Sequence, residues 1–292
     1  MVADQQWMNF PKSVLGQTQQ KQPGVESMMN PIPITENPKY KGSNQLQDKV
    51  AVITGGDSGI GKAVAIAFAK EGANIVIVYL DEHEDAKNTK NMIESIGKKC
   101  LLIAGDVGHN GFCKEVIQKV IQQFGKIDIL INNAAEQHSQ NRIEDITNQQ
   151  LENTFRTNVF SMFYMIKAAM PYLRQGSCII NTASITAYQG NEILIDYSAS
   201  KGAVISFTRS LSQSLASQGI RVNAVAPGPI WTPLIPASFS ADHVATFGSD
   251  TPMGRPGQPV ELASAYVYLA SEGASYVTGQ TIHVNGGTIV NG

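Results

Sequence analysis

VAVITGGDSGIG, residues 50–61, joins a β-branched apolar run to a glycine-rich turn. A continuous apolar run of this length is typical of a strand buried on both faces. The turn follows the pattern T-G-x-x-x-G-x-G, and helical spacing of apolar residues resumes from Ile60 to Glu71. A strand, a glycine turn and a helix in this order predict the first unit of a sheet that binds a dinucleotide.

The glycines of this turn each have a physical reason. A glycine at the end of the strand permits the tight turn, and Gly59 lets the backbone approach a pyrophosphate. Gly61 lets the helix pack close to the sheet. The helix N-terminus then directs unpaired N–H groups and a positive dipole end at the phosphates. We therefore expect cofactor contacts from Gly55, Asp57, Ser58, Gly59, Ile60 and Gly61.

The alternation of apolar runs and amphipathic stretches continues to the C-terminus. Seven strands are predicted at 50–54, 74–79, 100–104, 127–131, 177–181, 220–226 and 281–284. Six helices are predicted near 60–71, 84–96, 110–124, 148–175, 197–218 and 260–270. Right-handed crossovers then give an α/β fold with a doubly wound, Rossmann-like, seven-stranded parallel sheet in three α/β/α layers. No second break in composition follows, so 49–292 is predicted to be one domain.

Residues 1–48 differ from this domain in composition. They hold five of the 13 prolines and eight glutamines without a clear period, which predicts an extended, irregular arm. A disordered tail is one interpretation. An arm docked on its own domain or on a neighbouring subunit is the other, and it is favoured by apolar anchors that a solvated tail does not need. These anchors are Trp7, Met8, Phe10, Met28 and Met29.

Charge and cysteine content exclude several classes of protein. The chain has 22 Lys and Arg against 24 Asp and Glu, a net charge of −2, so we expect neither a nucleic-acid partner nor a membrane. The three cysteines are scattered, and neither they nor the five histidines have metal-ligand spacing, so no metal site is expected. Reduced, buried thiols and an N-terminus without a secretory pattern predict a cytoplasmic protein.

The end of the second strand bears on the choice between NAD and NADP. An acid there bonds the 2′-hydroxyl of the adenine-side ribose and repels the 2′-phosphate of NADP. Asp81 lies 20 residues after Gly61, residues 79–85 (YLDEHED) contain no basic residue, and the turn adds Asp57. We expect Tyr79, Leu80 and Asp81 near this ribose, with NAD favoured and NADP less favoured. A solvated loop position for Asp81 is the alternative.

A tyrosine and a lysine four residues apart lie at the start of the predicted helix near 197–218. Tyr197 and Lys201 share one helical face, although such a pair alone is more often a surface feature. Ser184 follows the strand 177–181 at the carboxyl edge of the sheet, where such folds bind ligands. Asn158 lies in the helix before that strand.

Together these motifs resemble those of the short-chain dehydrogenase/reductase family. The similarity covers about 49–292 and includes TGGDSGIG, Asp106-Val107, Asn132-Asn133-Ala134-Ala135, Asn158, Ser184, Tyr197, Lys201 and Pro227-Gly228-Pro229-Ile230-Trp231-Thr232. The N-terminal arm is similar to that of a bacterial subgroup labelled general stress or glucose/ribitol dehydrogenase-like proteins. Ala135 departs from the family pattern, which has glycine there, and we expect it to narrow the cleft by a methyl group.

The resemblance implies an NAD(P)-dependent oxidoreductase that acts on CH–OH groups or carbonyls. It implies that Tyr197 is the general acid/base, that Ser184 orients the substrate oxygen, and that Lys201 binds the nicotinamide ribose and lowers the tyrosine pKa. Asn158 would hold a water in a proton relay. The implied cofactor contacts are completed by Asp106, Val107, Asn133, Ala134, Tyr197, Lys201, Pro227, Gly228, Ile230 and Thr232. The resemblance also implies a homotetramer built on the helices near 148–175 and 197–218.

The connection at 229–259 is long and holds six prolines. A connection of this length in a compact domain is usually functional, so a lid over the substrate is predicted, and a plain surface excursion is the alternative. Its inner face would be formed by Trp231, Leu234, Ile235, Phe239 and Phe247. His138 is a further candidate for substrate contact.

Two other functions remain open at this stage. One is a non-catalytic dinucleotide sensor or scaffold on the same fold, which has no need of Ser184, Tyr197 and Lys201 at catalytic spacing. The other is a different Rossmann-like enzyme, such as a methyltransferase, in which the Tyr/Lys pair has no role. The substrate itself is not indicated, because fold does not define it.

Overall fold

The computed structural model describes residues 10–290. Seven parallel strands form one sheet in the order β3-β2-β1-β4-β5-β6-β7, as predicted. The strands are β1 (Val50–Thr54), β2 (Asn74–Tyr79), β3 (Cys100–Ala104), β4 (Ile129–Asn132), β5 (Cys178–Thr182), β6 (Arg221–Pro227) and β7 (Thr281–Val284). The strand order reverses between β1 and β4, and the crevice at such a switch point is where open sheets bind ligands.

Helices cover both faces of the sheet. They are α1 (Gly59–Lys70), α2 (His83–Ser95), α3 (Asn110–Phe124), α4 (Asn148–Phe155), α5 (Ser161–Ala169), α6 (Thr186–Gln189), α7 (Ile195–Leu215), α8 (Ala241–Ala245) and α9 (Pro259–Ala270). One core lies between the sheet and α1, α2 and α9, and a second lies between the sheet and α3, α5 and α7. The prediction of three α/β/α layers is confirmed.

The helix predicted over 148–175 is interrupted and ends early. The Thr147 hydroxyl caps α4 by accepting from the Gln150 N–H at 3.1 Å. A π-helical stretch, Arg156–Phe160, then connects α4 to α5. The segment ends at Ala169: Met170 still has helical backbone angles, but Pro171 after it has no N–H to continue the helical hydrogen bonds. The predicted end at 175 is therefore wrong by six residues.

The N-terminal arm lies along its own domain from residue 10 to residue 48. Apart from one short 3₁₀ turn, Glu26–Met28, it has no helix or strand, and side-chain to backbone bonds hold it in place. The Trp231 indole donates to the Pro31 carbonyl at 2.8 Å. The Val260 N–H donates to the Ile34 carbonyl at 3.0 Å. Further along, the buried Glu71 carboxylate accepts from the backbone N–H groups of Ser43 and Gln45, both at 2.9 Å.

The expected anchors of the arm behave differently from one another. Met29 is buried, and the Phe10 ring lies 4.8 Å from the Arg255 guanidinium. Met28 is 70% exposed, so its expected role as an anchor is wrong. Trp7 and Met8 lie outside the described residues.

Candidate active site

A cavity of about 650 Å³ opens at the carboxyl edge of the sheet. Its walls are formed by the residues that follow β1, β2, β3, β4, β5 and β6, by the segment 229–259 that was predicted as a lid, and by the arm. Parallel strands end at one edge, so residues far apart in the sequence meet there. Most of the predicted catalytic and cofactor residues therefore come together in one cleft; Gly61, Asp81 and Asn158 are the exceptions.

The glycine turn packs as its pattern predicts. A Cβ atom added at Gly61 would lie 1.9 Å from the Gly55 carbonyl oxygen, so α1 approaches the turn this closely only with glycine there. Gly59 adopts a φ of +50°, and its N–H donates to the Glu26 carboxylate of the arm at 2.7 Å. The first helical acceptor is the Ser58 carbonyl, which bonds the Lys62 N–H, so the helix itself gives the N–H groups of Ile60 and Gly61 no partner.

Two carboxylates lie at the end of the cleft near β2. Asp57 and Glu82 both line it and are buried. Neither Oδ2 of Asp57 nor Oε1 of Glu82 has a hydrogen-bond partner among the described residues. Burial raises the pKa of Asp57 to about 6, and burial, followed by the bond with Asp81, raises that of Glu82 to about 7.

Asp81, the acid predicted for the ribose, is not among the residues that line this cavity. It forms an ion pair with Lys21 of the arm, and its pKa is lowered by hydrogen bonds with Glu82 and Lys21. The chain turns after β2 so that Glu82, one residue later, lines the cavity instead. The solvated alternative described Asp81 better, although its partner in the arm was not foreseen.

The Tyr/Lys pair faces into the cleft from the first turns of α7. Tyr197 lines the cavity together with Ser184, which follows β5. The Lys201 ammonium donates to the Thr182 carbonyl at 2.8 Å and lies 5.5 Å from the centre of the Tyr197 ring. Both side chains line the cavity and are otherwise enclosed by protein, so the surface-pair interpretation is wrong.

Burial dominates the ionisation of this pair. It raises the pKa of Tyr197 to about 12, although the neighbouring Ser184 hydroxyl lowers it, and it lowers the pKa of Lys201 to about 7. In this structure burial therefore outweighs the lowering of the tyrosine pKa that the resemblance implies for Lys201. Removing both charges from water outweighs their attraction, because each charged form loses its hydration.

Asn158 lies behind the cleft rather than in its wall. It belongs to the π-helical stretch, its Oδ1 accepts from the Glu136 N–H at 2.9 Å, and its Nδ2 donates to the Glu136 carbonyl and the Ser200 hydroxyl. These bonds use both amide hydrogens and leave one lone pair on Oδ1. Any water held by Asn158 would have to donate to that lone pair.

The other predicted cofactor residues are assembled in the wall of the cavity, with Gly61 packed behind it. Asn133 has a structural part as well, because its Nδ2 donates to the carbonyls of Thr54 and Gly55 at 3.1 Å and so joins the ends of β1 and β4. The predicted cofactor residues that line the cavity are Gly55, Asp57, Ser58, Gly59, Ile60, Tyr79, Leu80, Asp106, Val107, Asn133, Ala134, Tyr197, Lys201, Pro227, Gly228, Ile230 and Thr232.

The segment 229–259 forms a further part of the cavity wall. Leu234, Ile235, Phe239 and Phe247 line the cavity there. Trp231, predicted with them, is fully buried behind this wall, where its indole is bonded to the arm.

Sequence reasoning missed several lining residues. Glu82, His243 and the arm residues Gln22 and Pro23 all border the cavity, whereas His138 does not. His243 stacks on Phe239 with ring centres 4.3 Å apart. None of these positions belongs to a helix or strand that was predicted from the sequence, and the YLDEHED run was the one available signal, for Glu82.

Comparison with known proteins agrees with the site. The family model described as enoyl-(acyl carrier protein) reductase matches residues 55–288. The chain is 61% identical to general stress protein 39 of Bacillus subtilis over 97% of its own length and 99% of that protein. The chain belongs to the short-chain dehydrogenase/reductase family. The resemblance seen in the sequence is confirmed, including its general stress and glucose/ribitol dehydrogenase-like subgroup.

Two further relatives in the short-chain dehydrogenase/reductase family have names that state an activity. The chain is 52% identical to glucose and ribitol dehydrogenase of Daucus carota, over 94% of its length and 97% of the relative. It is 50% identical to NADPH-dependent aldehyde reductase 1 of Arabidopsis thaliana, over 94% of its length and 98% of that protein.

Two solved structures of the family contain different nicotinamide cofactors. A short chain dehydrogenase from Burkholderia cenocepacia in complex with NADP has a TM-score of 0.79 and 29% identity, with 83% of this chain and 98% of that one covered. A 3-ketoacyl-(acyl-carrier-protein) reductase from Brucella melitensis complexed with NADH has a TM-score of 0.75 and 33% identity, with 84% and 100% covered.

The residues present fit a nicotinamide dinucleotide. Gly61 brings the α1 N-terminus against the turn, where it can bind phosphate, and the unpartnered oxygens of Asp57 and Glu82 can accept from ribose hydroxyls. The protein is an NAD(P)-dependent oxidoreductase of this family. Within residues 10–290, every helix is too short or too polar to span a bilayer.

Proposed function

We propose that this enzyme transfers a hydride between a nicotinamide cofactor and an alcohol or carbonyl substrate, with Tyr197 as the general acid/base. The observation that carries this proposal is that Tyr197, Ser184 and the buried Lys201 lie together in the wall of one cleft. The two hydroxyls offer one substrate oxygen two hydrogen-bonding groups at once. A sensor or scaffold would not require this arrangement.

The roles follow from the geometry of these side chains. In reduction, the Tyr197 Oη–H gives its proton to the carbonyl oxygen, and in oxidation the Tyr197 phenolate takes the proton of the alcohol. Ser184 Oγ donates to the same oxygen and orients it. Lys201 is held by the Thr182 carbonyl, and its positive charge favours the phenolate. The nicotinamide, when bound, supplies or accepts the hydride, whose chemistry belongs to the cofactor.

Substitution Tyr197→Phe tests the proposal. Loss of the proton donor should reduce kcat by about 10²–10⁴-fold while the Kd for NADH, from fluorescence titration, stays within twofold. Turnover would be followed by NADH absorbance with D-glucose, ribitol and short aldehydes. Tyr276→Phe, at a fully exposed tyrosine, is the matched control. Full activity of Tyr197→Phe would refute the proposal, and NADH binding by the wild type without turnover of any probe would favour the sensor alternative.

We also propose that NAD is the preferred cofactor. Support comes from Asp57 and Glu82, two buried carboxylates that border the cavity at the β2 end, and from Lys21, whose ammonium pairs with Asp81 and lies 3.9 Å from Glu82 Oε1. Two buried acids accept from ribose hydroxyls and repel a 2′-phosphate. Because named relatives and solved structures include both cofactors, the choice depends on these residues of the chain itself.

Paired fluorescence titrations with NADH and NADPH measure this preference. At pH 8 we expect NADH to bind at least about tenfold more tightly, since one unfavourable charge contact of about 1.4 kcal/mol has that effect. Near pH 6 the gap should narrow, because the raised pKa values let Asp57 and Glu82 take up protons. Tighter NADPH binding at pH 8 would overturn the proposal.

We extend the proposal to assembly and location. Leu151, Phe160 and Phe163 are each more than two-fifths exposed on the α4–α5 segment, an apolar surface that supports a homotetramer. A monomeric sedimentation coefficient at micromolar concentration would contradict the tetramer.

All three cysteines are buried and unbridged, which supports a reducing, cytoplasmic compartment.

A further inference from the structure

The side chain of Gln22 joins two segments that border the substrate end of the cavity. Its Nε2 lies 2.6 Å from the Gln137 carbonyl oxygen in the loop after β4, and 2.9 Å from both the Ala237 carbonyl and the Ser238 hydroxyl in the lid. An amide nitrogen has two hydrogens, so this nitrogen is fully used by the two segments. Gln22 itself lines the cavity.

The lid residues bonded to Gln22 continue directly into the apolar wall of the cavity. Ile235 and Phe239 flank Ala237 and Ser238, and they pack in the same buried cluster as Tyr197 and Trp231. A second contact from the arm, from the Gln19 N–H to the Pro236 carbonyl at 2.7 Å, holds the same turn. The position of this wall beside Tyr197 therefore depends on the arm.

Four residues further on, the arm is attached to the dinucleotide end of the cleft. The Glu26 carboxylate accepts from the Gly59 N–H at 2.7 Å and from the Lys62 ammonium at 2.5 Å. The Glu26 N–H in turn donates to Asp85 of α2 at 2.6 Å. Because Glu26 is buried, this attachment is shielded from solvent, and it fixes the place from which Gln22 reaches the lid.

We propose that Gln22 is a positioning residue that holds the lid turn 234–239 against the loop after β4, so that the arm completes the wall of the substrate pocket. The proposal rests on the proposed function only in taking the substrate to bind at this end of the cavity. Gln22 acts through the lid, whereas Tyr197 acts on the substrate.

Hydrogen–deuterium exchange of the full-length protein tests this role without a known substrate. Gln22→Met keeps the length of the side chain and removes its bonds to three acceptors. The Ser238 and Phe239 amides, which donate to the Ile235 carbonyl, should exchange about tenfold faster, because the lid turn opens more often. Gln22→Glu places a carboxylate among the same oxygens and should accelerate exchange further.

Gln20→Met is the matched control, because it makes the same change at an exposed position two residues away. It should leave the lid amides unchanged. The Ile34 and Leu46 amides, bonded to Gln258 and Glu71, should keep their wild-type rates in all variants, whereas general loosening of the arm would accelerate them too. The Kd for NADH should stay within twofold. Unchanged exchange at Ser238 and Phe239 in Gln22→Met, or equal acceleration along the whole arm, would overturn the proposal.

If NADH failed to bind the wild type, the proposed function would fall while the exchange result still decided the role of Gln22. The two proposals can therefore fail separately.

Discussion

The two ends of the cleft are built in different ways. The dinucleotide end consists of short turns that directly follow β1, β2, β3 and β4, and backbone packing at Gly61 fixes its shape. The substrate end consists of long segments without periodicity, the lid and the arm, which are held by isolated side-chain bonds such as that of Gln22. The dinucleotide end is therefore determined by short local motifs in the sequence. The shape of the substrate end is determined by contacts between distant parts of the chain.

The largest effect we expect is at the dinucleotide end. Gly61→Ala places a Cβ 1.9 Å from the Gly55 carbonyl oxygen, a backbone atom that cannot move alone, so stability should fall by about 3 kcal/mol or more, with loss of NADH binding. Thermal unfolding and NADH titration measure both. Gly111→Ala, at a helical glycine with nothing within 4 Å of the added Cβ, should be neutral or stabilising. Normal NADH binding by Gly61→Ala would show that this end is less rigid than its packing indicates.

An intermediate loss of stability is expected from a substitution at the contact between the arm and the lid. Trp231→Phe removes the indole donor from the Pro31 carbonyl and leaves a small void in a fully buried position, so stability should fall by about 2 kcal/mol. The Kd for NADH should change less than twofold, because Trp231 does not line the cavity. Thermal unfolding and fluorescence titration of the variant check both parts. An equal loss of stability and of NADH affinity would mean that the two ends are not independent.

The smallest effect concerns Glu82. This residue lies beside the ion pair that joins Lys21 of the arm to Asp81. Its pKa is raised from 4.5 to about 7, so the folded state holds a proton that the unfolded state releases. The stabilisation is fully present below pH 4.5 and is lost as the pH rises through 7, about 1 kcal/mol between pH 6 and 8. Glu82→Gln should remove most of this slope and raise the melting temperature at pH 8. A variant with an unchanged slope would assign the titration to another group.

The sequence was sufficient for the regular parts of the molecule. Apolar runs placed all seven strands within two residues of their observed ends, because strands buried on both faces leave a continuous pattern. The motif residues Ser184, Tyr197 and Lys201 were found because their spacing can be read from the sequence without knowing the path of the chain. The early end of α5 was also readable, from Pro171, but the apolar spacing beyond it suggested a longer helix.

The positions of the remaining site residues depend on the path of the chain in space rather than on the periodicity of the sequence. Because of the turn after β2, Glu82 lines the cavity in place of the expected Asp81. An error of one residue in the predicted strand end is enough to miss this. Gln22 comes to the cavity only because the arm crosses it, and the sequence between residues 1 and 48 has no repeat that records this route. The Tyr197 pKa was misjudged because the burial of Tyr197 and Lys201 together was not foreseen.

The π-helical stretch Arg156–Phe160 sets the angular phase between α4 and α5. One residue corresponds to about 100° of rotation around a helix axis, so deleting one position here would turn α5 by that angle relative to α4. Met162 and Met165 would then rotate away from the cores they now occupy, and Asn158 would lose its place behind the cleft. The number of residues in this stretch is therefore under stronger constraint than most of their identities, and substitutions at its exposed position Phe160 should be tolerated where a one-residue deletion is not.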